Sequence, residues 1–208
     1  MKKLIAILLY FCALALMGLD VYQEYFGGQE MRITARLIFA GMVFVLTLIS
    51  YGLLKKCFPA QQPKLFALTV WVLFLYYICI LAAMLFFSYG MGRHVTRQGL
   101  NLHPLTTIRN YYFTYHNGHM TRENFFINML GNVLAFAPFG FFGPVIFRRM
   151  RPLWGFFWRM GVMIAFVEIV QLMTYTGSCD VDDWILNMCG AVWMYLWMQL
   201  PYFRQIRL

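Results

Sequence analysis

Carboxylates and carboxamides interrupt three apolar stretches in the second half of this 208-residue chain, and these residue types are suited to chemistry. They are Asn128 and Asn132, Glu168 and Gln171, and Asp180, Asp182, Asp183 and Asn187. Spacings of three or four residues place members of each set on one face of a helix. Carboxylates can transfer protons or hold a divalent cation, and amides can bind a polar ligand.

Each of these polar residues also has a possible structural explanation. Asp180 or Asp182 could cap the helix that follows, because Asp is a favoured N-cap residue and suits the positive end of a helix dipole. Asn128 and Asn132 could form hydrogen bonds between helices. Glu168 is harder to explain in this way, because a buried carboxylate needs either a partner or a proton.

The sequence offers no nucleophile in a favourable environment beside these acids. Cys179 is adjacent to them, but neighbouring negative charge should raise the pKa of its thiol. The five cysteines form no C-x-x-C pair, and His116 and His119 flank an Asn-Gly turn, so no zinc ribbon or histidine metal site is expected. No G-x-S-x-G, H-E-x-x-H or phosphate-loop motif occurs. These observations favour a protein that is not an enzyme and leave an enzyme as an alternative, and the sequence identifies no cofactor or metal.

Long apolar helices must position these residues. The chain is 62% hydrophobic and 12% charged, whereas a soluble domain is about 25% charged. Six segments approach the roughly 20 apolar residues that a spanning helix needs. They cover residues 4–19, 35–54, 65–87, 125–147, 154–175 and 184–200. We expect an all-α, polytopic transmembrane bundle that forms a single domain over residues 1–208.

Basic clusters indicate the orientation of these spans. Lys and Arg concentrate at residues 2–3, 55–64, 148–159 and 204–207, which is the pattern expected if both termini are cytoplasmic. The net charge of +9 then reflects orientation and contact with anionic membrane lipids, not nucleic acid. Asp20 and Glu24 fall at the outer boundary, and all three polar sets lie toward the outer ends of their helices. The last three spans should enclose one polar pocket near the outer leaflet.

Three further segments have less usual features. Residues 4–19 follow Lys2 and Lys3 in the manner of a signal peptide, but no A-x-A-like cleavage site follows, so a retained first helix is expected. Residues 88–124 form the one long loop, which should fold as an external cap or re-entrant segment. Pro138 should kink or open the fourth helix near mid-membrane.

The order of these motifs resembles the VanZ-like family of membrane proteins. Residues 128–140 match N-x-x-x-N-x-x-x-F-x-P-x-G, residues 168–190 contain the second signature, and residues 101–104 form the short N-x-x-P element. Together the motifs cover residues 100–195. Many relatives carry an Arg where this chain has Thr176. If that Arg pairs with the acids or with a phosphate, this chain must supply the cation from elsewhere, and the candidates are Arg97, Arg109 and Arg122 of the outer loop.

The resemblance implies a bacterial cytoplasmic membrane protein linked to low-level resistance to the glycopeptide teicoplanin. The favoured hypothesis is modulation of the cell envelope, in which the outer pocket binds a lipid-linked cell-wall precursor or the glycopeptide. The alternatives are a membrane enzyme acting on a lipid headgroup, and a lipid transporter or flippase with Glu168 as proton acceptor. The predicted ligand-binding residues are Asn128, Asn132, Glu168, Gln171, Asp180, Asp183 and Asn187.

Overall fold

The computed structural model describes residues 2–27, 33–87 and 99–208. Within them the chain forms seven α-helices, three short helical turns and one pair of two-residue strands. Five of these helices are long and apolar enough to cross a membrane. The predicted all-α, polytopic membrane fold is therefore confirmed. Tertiary contacts divide the chain into two compact units, Met1–Gly92 and Arg93–Leu208.

The first unit is built from three long helices. They are α1 (Lys2–Phe26), α2 (Ile33–Cys57) and α3 (Gln62–Ala82), with a 3₁₀ turn at Pro59–Gln61 and a π-helical turn at Ala83–Phe87. Small side chains are buried in α1 at Ala6 and Ala13. In α2, the buried hydroxyls of Thr47 and Ser50 donate hydrogen bonds to carbonyls of their own helix. Small, internally satisfied residues allow membrane helices to pack closely.

The second unit contains the other four helices and both strands. They are β1 (Leu100–Asn101), α4 (Thr106–His116), α5 (Arg122–Ile146), α6 (Leu153–Met173), β2 (Cys179–Asp180) and α7 (Val181–Met198), with a 3₁₀ turn at Arg148–Met150. The strands pair in parallel, with Asn101 opposite Asp180. This pairing places the segment before α4 beside the start of α7.

Two glycines let α5 and α7 approach backbone to backbone. A Cβ added at Gly190 would lie 1.7 Å from the carbonyl oxygen of Val133, and one at Gly140 would lie 2.4 Å from that of Ala191. No real side chain tolerates such distances. Glycine is therefore required at both positions for this packing, and the close approach brings the polar residues of the two helices together.

α5 continues as a helix through Pro138. The predicted opening of the helix at this proline is therefore wrong. The neighbouring residues Phe136, Ala137 and Phe139 are buried, and Gly140 is seated against α7. This packing holds the helix together where proline removes one backbone donor.

Each of the six predicted spans corresponds to an observed helix, but not every one of these helices is apolar enough to cross a membrane. Five of them correspond to α1, α2, α3, α5 and α6, the helices able to cross a membrane among the described residues. The sixth corresponds to α7, whose first two turns include Asp182, Asp183 and Asn187. Within the predicted outer loop, β1 and α4 are ordered elements, and residues 88–98 lie outside the described residues. The sixth crossing, the cytoplasmic termini and the single domain stay predictions.

Candidate functional site

Asp182 holds the beginning of α4. Its carboxylate is fully buried and accepts hydrogen bonds from the backbone N–H groups of Leu105, Thr107 (2.6 Å) and Ile108 (3.1 Å). Leu105 has a positive φ of 65°, which turns the chain into the helix. Three free N–H donors at a helix start and the positive end of its dipole suit a carboxylate. Asp182 is thus fully used as a structural cap, although it caps α4 and not its own helix.

Asp180 is the N-cap of α7 and also anchors the segment before α4. Its Oδ1 accepts hydrogen bonds from the backbone N–H of Asp182 (2.9 Å) and from Nδ2 of Asn101 (3.1 Å). Its Oδ2 accepts a hydrogen bond from the Thr107 hydroxyl (2.6 Å). The capping alternative for this residue is confirmed. The carboxylates of Asp180 and Asp182 thus both accept hydrogen bonds from N–H donors, and that of Asp180 also accepts one from an O–H donor.

Glu168 and Gln171 are buried on one face of α6, as their spacing predicts. Oε2 of Glu168 accepts a long hydrogen bond, 3.4 Å, from the backbone N–H of Asp180. Gln171 lies against the turn that leads to β2, where a Cβ on Gly177 would be 3.3 Å from its Nε2 atom. Glu168 therefore joins α6 to the residue that begins α7, and Gln171 packs against the turn between the two helices.

Asn132 and Asp183 join α5 to α7. The Asn132 Nδ2 group donates a hydrogen bond to Oδ1 of Asp183. Asn187 lies one turn further along α7, is only 4% exposed, and its Oδ1 atom has no hydrogen-bond partner in the described chain. A buried amide without a partner costs about 1–3 kcal/mol. The Oδ1 atom of Asn187 is therefore a buried acceptor that the described residues leave unsatisfied.

The structure brings six of the seven predicted site residues into one region of the second unit. We call them the polar cluster: Asn132, Glu168, Gln171, Asp180, Asp183 and Asn187. For Asn128 the structure shows a hydrogen bond within its own helix, from its Nδ2 group to the Asn124 carbonyl (2.9 Å), and none to these residues. The role of the polar cluster and of Asn128 in binding a ligand stays a prediction.

The chemistry open to the cluster is constrained by its surroundings. Burial raises the pKa of the Cys179 thiol, and the charges of Glu168 and Asp180 raise it further. The predicted rise in pKa is confirmed, and it lowers the thiolate fraction at neutral pH. Across the described residues, no group of three or more His, Cys, Asp or Glu side chains is arranged to hold a metal ion.

The outer-loop arginines do not contact these acids where their side chains are described. The guanidinium of Arg109 lies over the ring of Phe113, 5.3 Å from its centroid, and that of Arg122 lies over Phe126 at 5.6 Å. Arg97 lies outside the described residues. Cation–π contacts of this kind place both arginines on the aromatic surface of α4 and α5.

A second set of buried polar residues, in the first unit, was not predicted. Glu24 and Arg36 form an ion pair at 2.6 Å, and the Tyr76 hydroxyl donates a 2.6 Å hydrogen bond to Asp20. Asp20 is only 2% exposed. The sequence placed the two acids at the membrane boundary. Their i,i+4 spacing on α1 was the available signal, since it puts both on one helix face.

These features define a helical membrane protein with a buried polar cluster in its second unit. A family model described as VanZ/LLP1 matches residues 74–202, more than half of the chain. The chain therefore belongs to the VanZ/LLP1 family, as its motifs predicted. A search of curated proteins and a search of solved structures each gave no match. Every residue of the polar cluster lies within the matched range.

Proposed function

We propose that this protein modulates the bacterial cell envelope from the cytoplasmic membrane and contributes to tolerance of teicoplanin. In this proposal the polar cluster binds either the glycopeptide or a lipid-linked cell-wall precursor near the outer leaflet. The proposal combines the family's link to teicoplanin with the predicted orientation, which places the cluster in the leaflet where both molecules act.

The observation that carries the proposal is the unsatisfied amide of Asn187 beside the Asn132–Asp183 pair. Polar groups inside membrane helices are costly and commonly mark a site of function. The hydrogen bonds of Asp180 and Asp182 already have a structural purpose. Asn187 is therefore the residue of the cluster whose polar atom is most available to a ligand.

Binding of the purified protein to each candidate tests the proposal. Teicoplanin and a lipid-linked precursor would be titrated separately against the full chain in nanodiscs, with tryptophan fluorescence as the readout. Trp184 follows Asp183 directly and its Nε1–H is held by the Gly161 carbonyl at 2.9 Å, so it should report occupancy of the cluster. We expect saturable binding of at least one ligand by the wild type, lost in Asp183→Asn.

The matched control for this titration is Glu123→Gln. It removes the negative charge of an exposed acid in the first turn of α5. Wild-type binding of neither ligand would overturn the proposal. A chemically altered lipid would instead support the enzyme alternative, and proton-coupled lipid movement abolished by Glu168→Gln would support the transporter alternative.

A further inference from the structure

A group of arginines lies at the end of the second unit opposite the polar cluster. α5 and α7 begin at the end that carries the cluster, and α6 ends there. The arginines follow α5, occur in the first turns of α6 or follow α7. They are Arg148, Arg149, Arg151, Arg159, Arg204 and Arg207.

Hydrogen bonds hold the turn after α5 beside the segment after α7. The Leu208 N–H donates to the Val145 carbonyl at 2.9 Å. The Arg151 guanidinium donates from Nε to the Pro144 carbonyl (3.2 Å) and from Nη2 to the Leu208 oxygen (2.6 Å). The Tyr195 hydroxyl of α7 donates to the Arg151 carbonyl at 2.7 Å. Two basic segments that are distant in sequence therefore meet at one place.

The arginines of these two segments lie close enough for their charges to interact. Partial burial lowers the pKa of the Arg151 guanidinium, and the positive charges of Arg207 and Arg148 lower it further. The charges of Arg204 and Arg207 both act on the Tyr195 hydroxyl, which is bonded to the Arg151 backbone. Like charges held together in this way repel one another, and an anion placed among them would offset the repulsion.

The chain supplies no acid at this end of the unit. Residues 124–167 and 184–208 contain no Asp or Glu. Arg148, Arg204 and Arg207 form no ion pair with an acid of the described residues. Arg151 already donates to two backbone oxygens and is not counted here. Three guanidinium charges are therefore left for a group outside the chain.

The surroundings of these arginines suit a phospholipid. Trp154, in the first turn of α6, is 70% exposed, and Tyr202, two residues before Arg204, is 81% exposed. Exposed Trp and Tyr at the ends of membrane helices commonly lie at the level of the lipid headgroups. Guanidinium groups bind phosphate through paired hydrogen bonds, and basic pockets at helix ends bind anionic headgroups.

We propose that Arg148, Arg204 and Arg207 bind the phosphate of an anionic phospholipid. The quaternary ammonium of a zwitterionic headgroup would be repelled by the same three charges, so a lipid with a net negative charge is favoured. In the predicted orientation this lipid belongs to the inner leaflet. The proposal is independent of the proposed function, because no residue of the polar cluster takes part.

Two lipids with identical acyl chains and different headgroups test the proposal. Phosphatidylglycerol and phosphatidylcholine would be titrated separately against the full chain in a non-ionic detergent. Native mass spectrometry would count bound lipids, and thermal unfolding would report stabilisation. We expect saturable binding of phosphatidylglycerol, at least tenfold tighter than that of phosphatidylcholine, and a rise in unfolding temperature with phosphatidylglycerol alone.

Glutamine variants assign the binding to the three arginines. Arg148→Gln, Arg204→Gln and Arg207→Gln should each weaken phosphatidylglycerol binding by about fivefold, and the triple variant by about a hundredfold. Phosphatidylcholine binding should not change. Arg148 and Arg204 are exposed, so their single variants should fold even if the triple variant does not.

The matched control removes the same number of charges from the first unit. It combines Lys55→Gln, Lys56→Gln and Lys64→Gln, all at exposed positions, and should bind phosphatidylglycerol as the wild type does. Equal weakening in this control would show a general attraction of charge and overturn the proposal. Wild-type affinity in both arginine single variants, equal binding of the two lipids, or displacement of phosphatidylglycerol by inorganic phosphate would also overturn it.

Discussion

At the scale of single residues, the polar cluster and the neighbouring Asp182 contain some groups whose hydrogen bonds folding satisfies and one buried acceptor that the described residues leave unsatisfied. Asp180 and Asp182 accept several hydrogen bonds each and hold neighbouring elements in place. Asn187 accepts none from the described residues through its buried Oδ1 atom. A buried polar residue that is retained to bind a ligand lowers the stability of the fold. Replacing it with an apolar residue should therefore raise the measured stability.

Replacing Asn187 with leucine should stabilise the protein. The substitution removes a buried polar group that lacks a partner and keeps a similar side-chain volume, so the free energy of unfolding should rise by about 1 kcal/mol or more. Thermal unfolding in detergent would measure the change. The control is Asn124→Leu, an exposed position in the first turn of α5, which should change stability by less than about 0.5 kcal/mol. A destabilised Asn187→Leu protein would mean that the amide has a structural partner.

The Cys179 thiol should react slowly at neutral pH. Burial and the negative charges of Glu168 and Asp180 raise its pKa, so its thiolate should appear, and alkylation accelerate, only above the pH range of an ordinary cysteine. Glu168→Gln removes one of those charges and should increase the rate at a given pH. Mass spectrometry after iodoacetamide treatment would measure this, with Cys57 as an internal reference. An unchanged Cys179 rate would argue against the electrostatic contribution.

At the scale of elements, α4 and the α5–α7 pair position the cluster. α4 depends on one carboxylate that is distant in sequence, because Asp182 accepts hydrogen bonds from the N–H groups of Leu105, Thr107 and Ile108. α5 and α7 depend on close backbone contact at Gly140 and Gly190.

Asp182→Ala should release the first turn of α4. Loss of the cap leaves three N–H groups without their acceptor, and the free energy of unfolding should fall by about 2 kcal/mol. Hydrogen exchange at residues 105–108 should accelerate, while exchange in the middle of α6 should not. Glu123→Ala removes an exposed acid from another helix and serves as the control. Unaltered protection at residues 105–108 would show that the cap is not needed.

Gly190→Ala should drive α5 and α7 apart. The new Cβ would lie 1.7 Å from the Val133 carbonyl oxygen, and overpacking of this kind costs about 3 kcal/mol or more. Gly131→Ala is the control, because a Cβ there meets nothing within 4 Å, and it should be neutral or stabilising by up to about 1 kcal/mol. The thermal unfolding temperatures of Gly190→Ala and Gly131→Ala would measure this difference. Equal stability of the two variants would contradict the observed packing.

The sequence predicted the elements better than it predicted their contacts. Apolar length identifies the long helices, and i,i+4 spacing places Asp183 and Asn187 on one face of α7. Pattern reasoning could not show that Asp182 caps α4, because that contact joins residues more than seventy positions apart. It also missed the Glu24–Arg36 ion pair, since burial of those side chains depends on how α1 and α2 pack.

At the scale of the whole molecule, the proposal depends on which side of the membrane the cluster faces. The basic clusters of the sequence predict cytoplasmic termini, and α4 would then lie outside. Most of the VanZ/LLP1 match falls in the unit Arg93–Leu208, which contains the whole cluster. The first unit adds its own buried ion pair between Glu24 and Arg36.

Labelling of introduced cysteines would determine the orientation. In a background without the native cysteines, Asn117→Cys, in the turn after α4, should react in intact cells with a membrane-impermeant maleimide. Gln61→Cys, between α2 and α3, should react only after permeabilisation, because the same orientation places that turn in the cytoplasm. Both positions are exposed, so access to the reagent depends on the side of the membrane. The reverse labelling pattern would place the cluster near the inner leaflet.

Teicoplanin susceptibility in a sensitive Gram-positive host would show whether the polar cluster contributes to tolerance. Strains would express the wild type, Asn187→Leu or the matched surface variant Asn124→Leu at equal membrane levels. We expect raised tolerance with the wild type and with Asn124→Leu, and host-level susceptibility with Asn187→Leu despite its greater stability. Full tolerance with Asn187→Leu, or no tolerance with the wild type, would contradict this expectation.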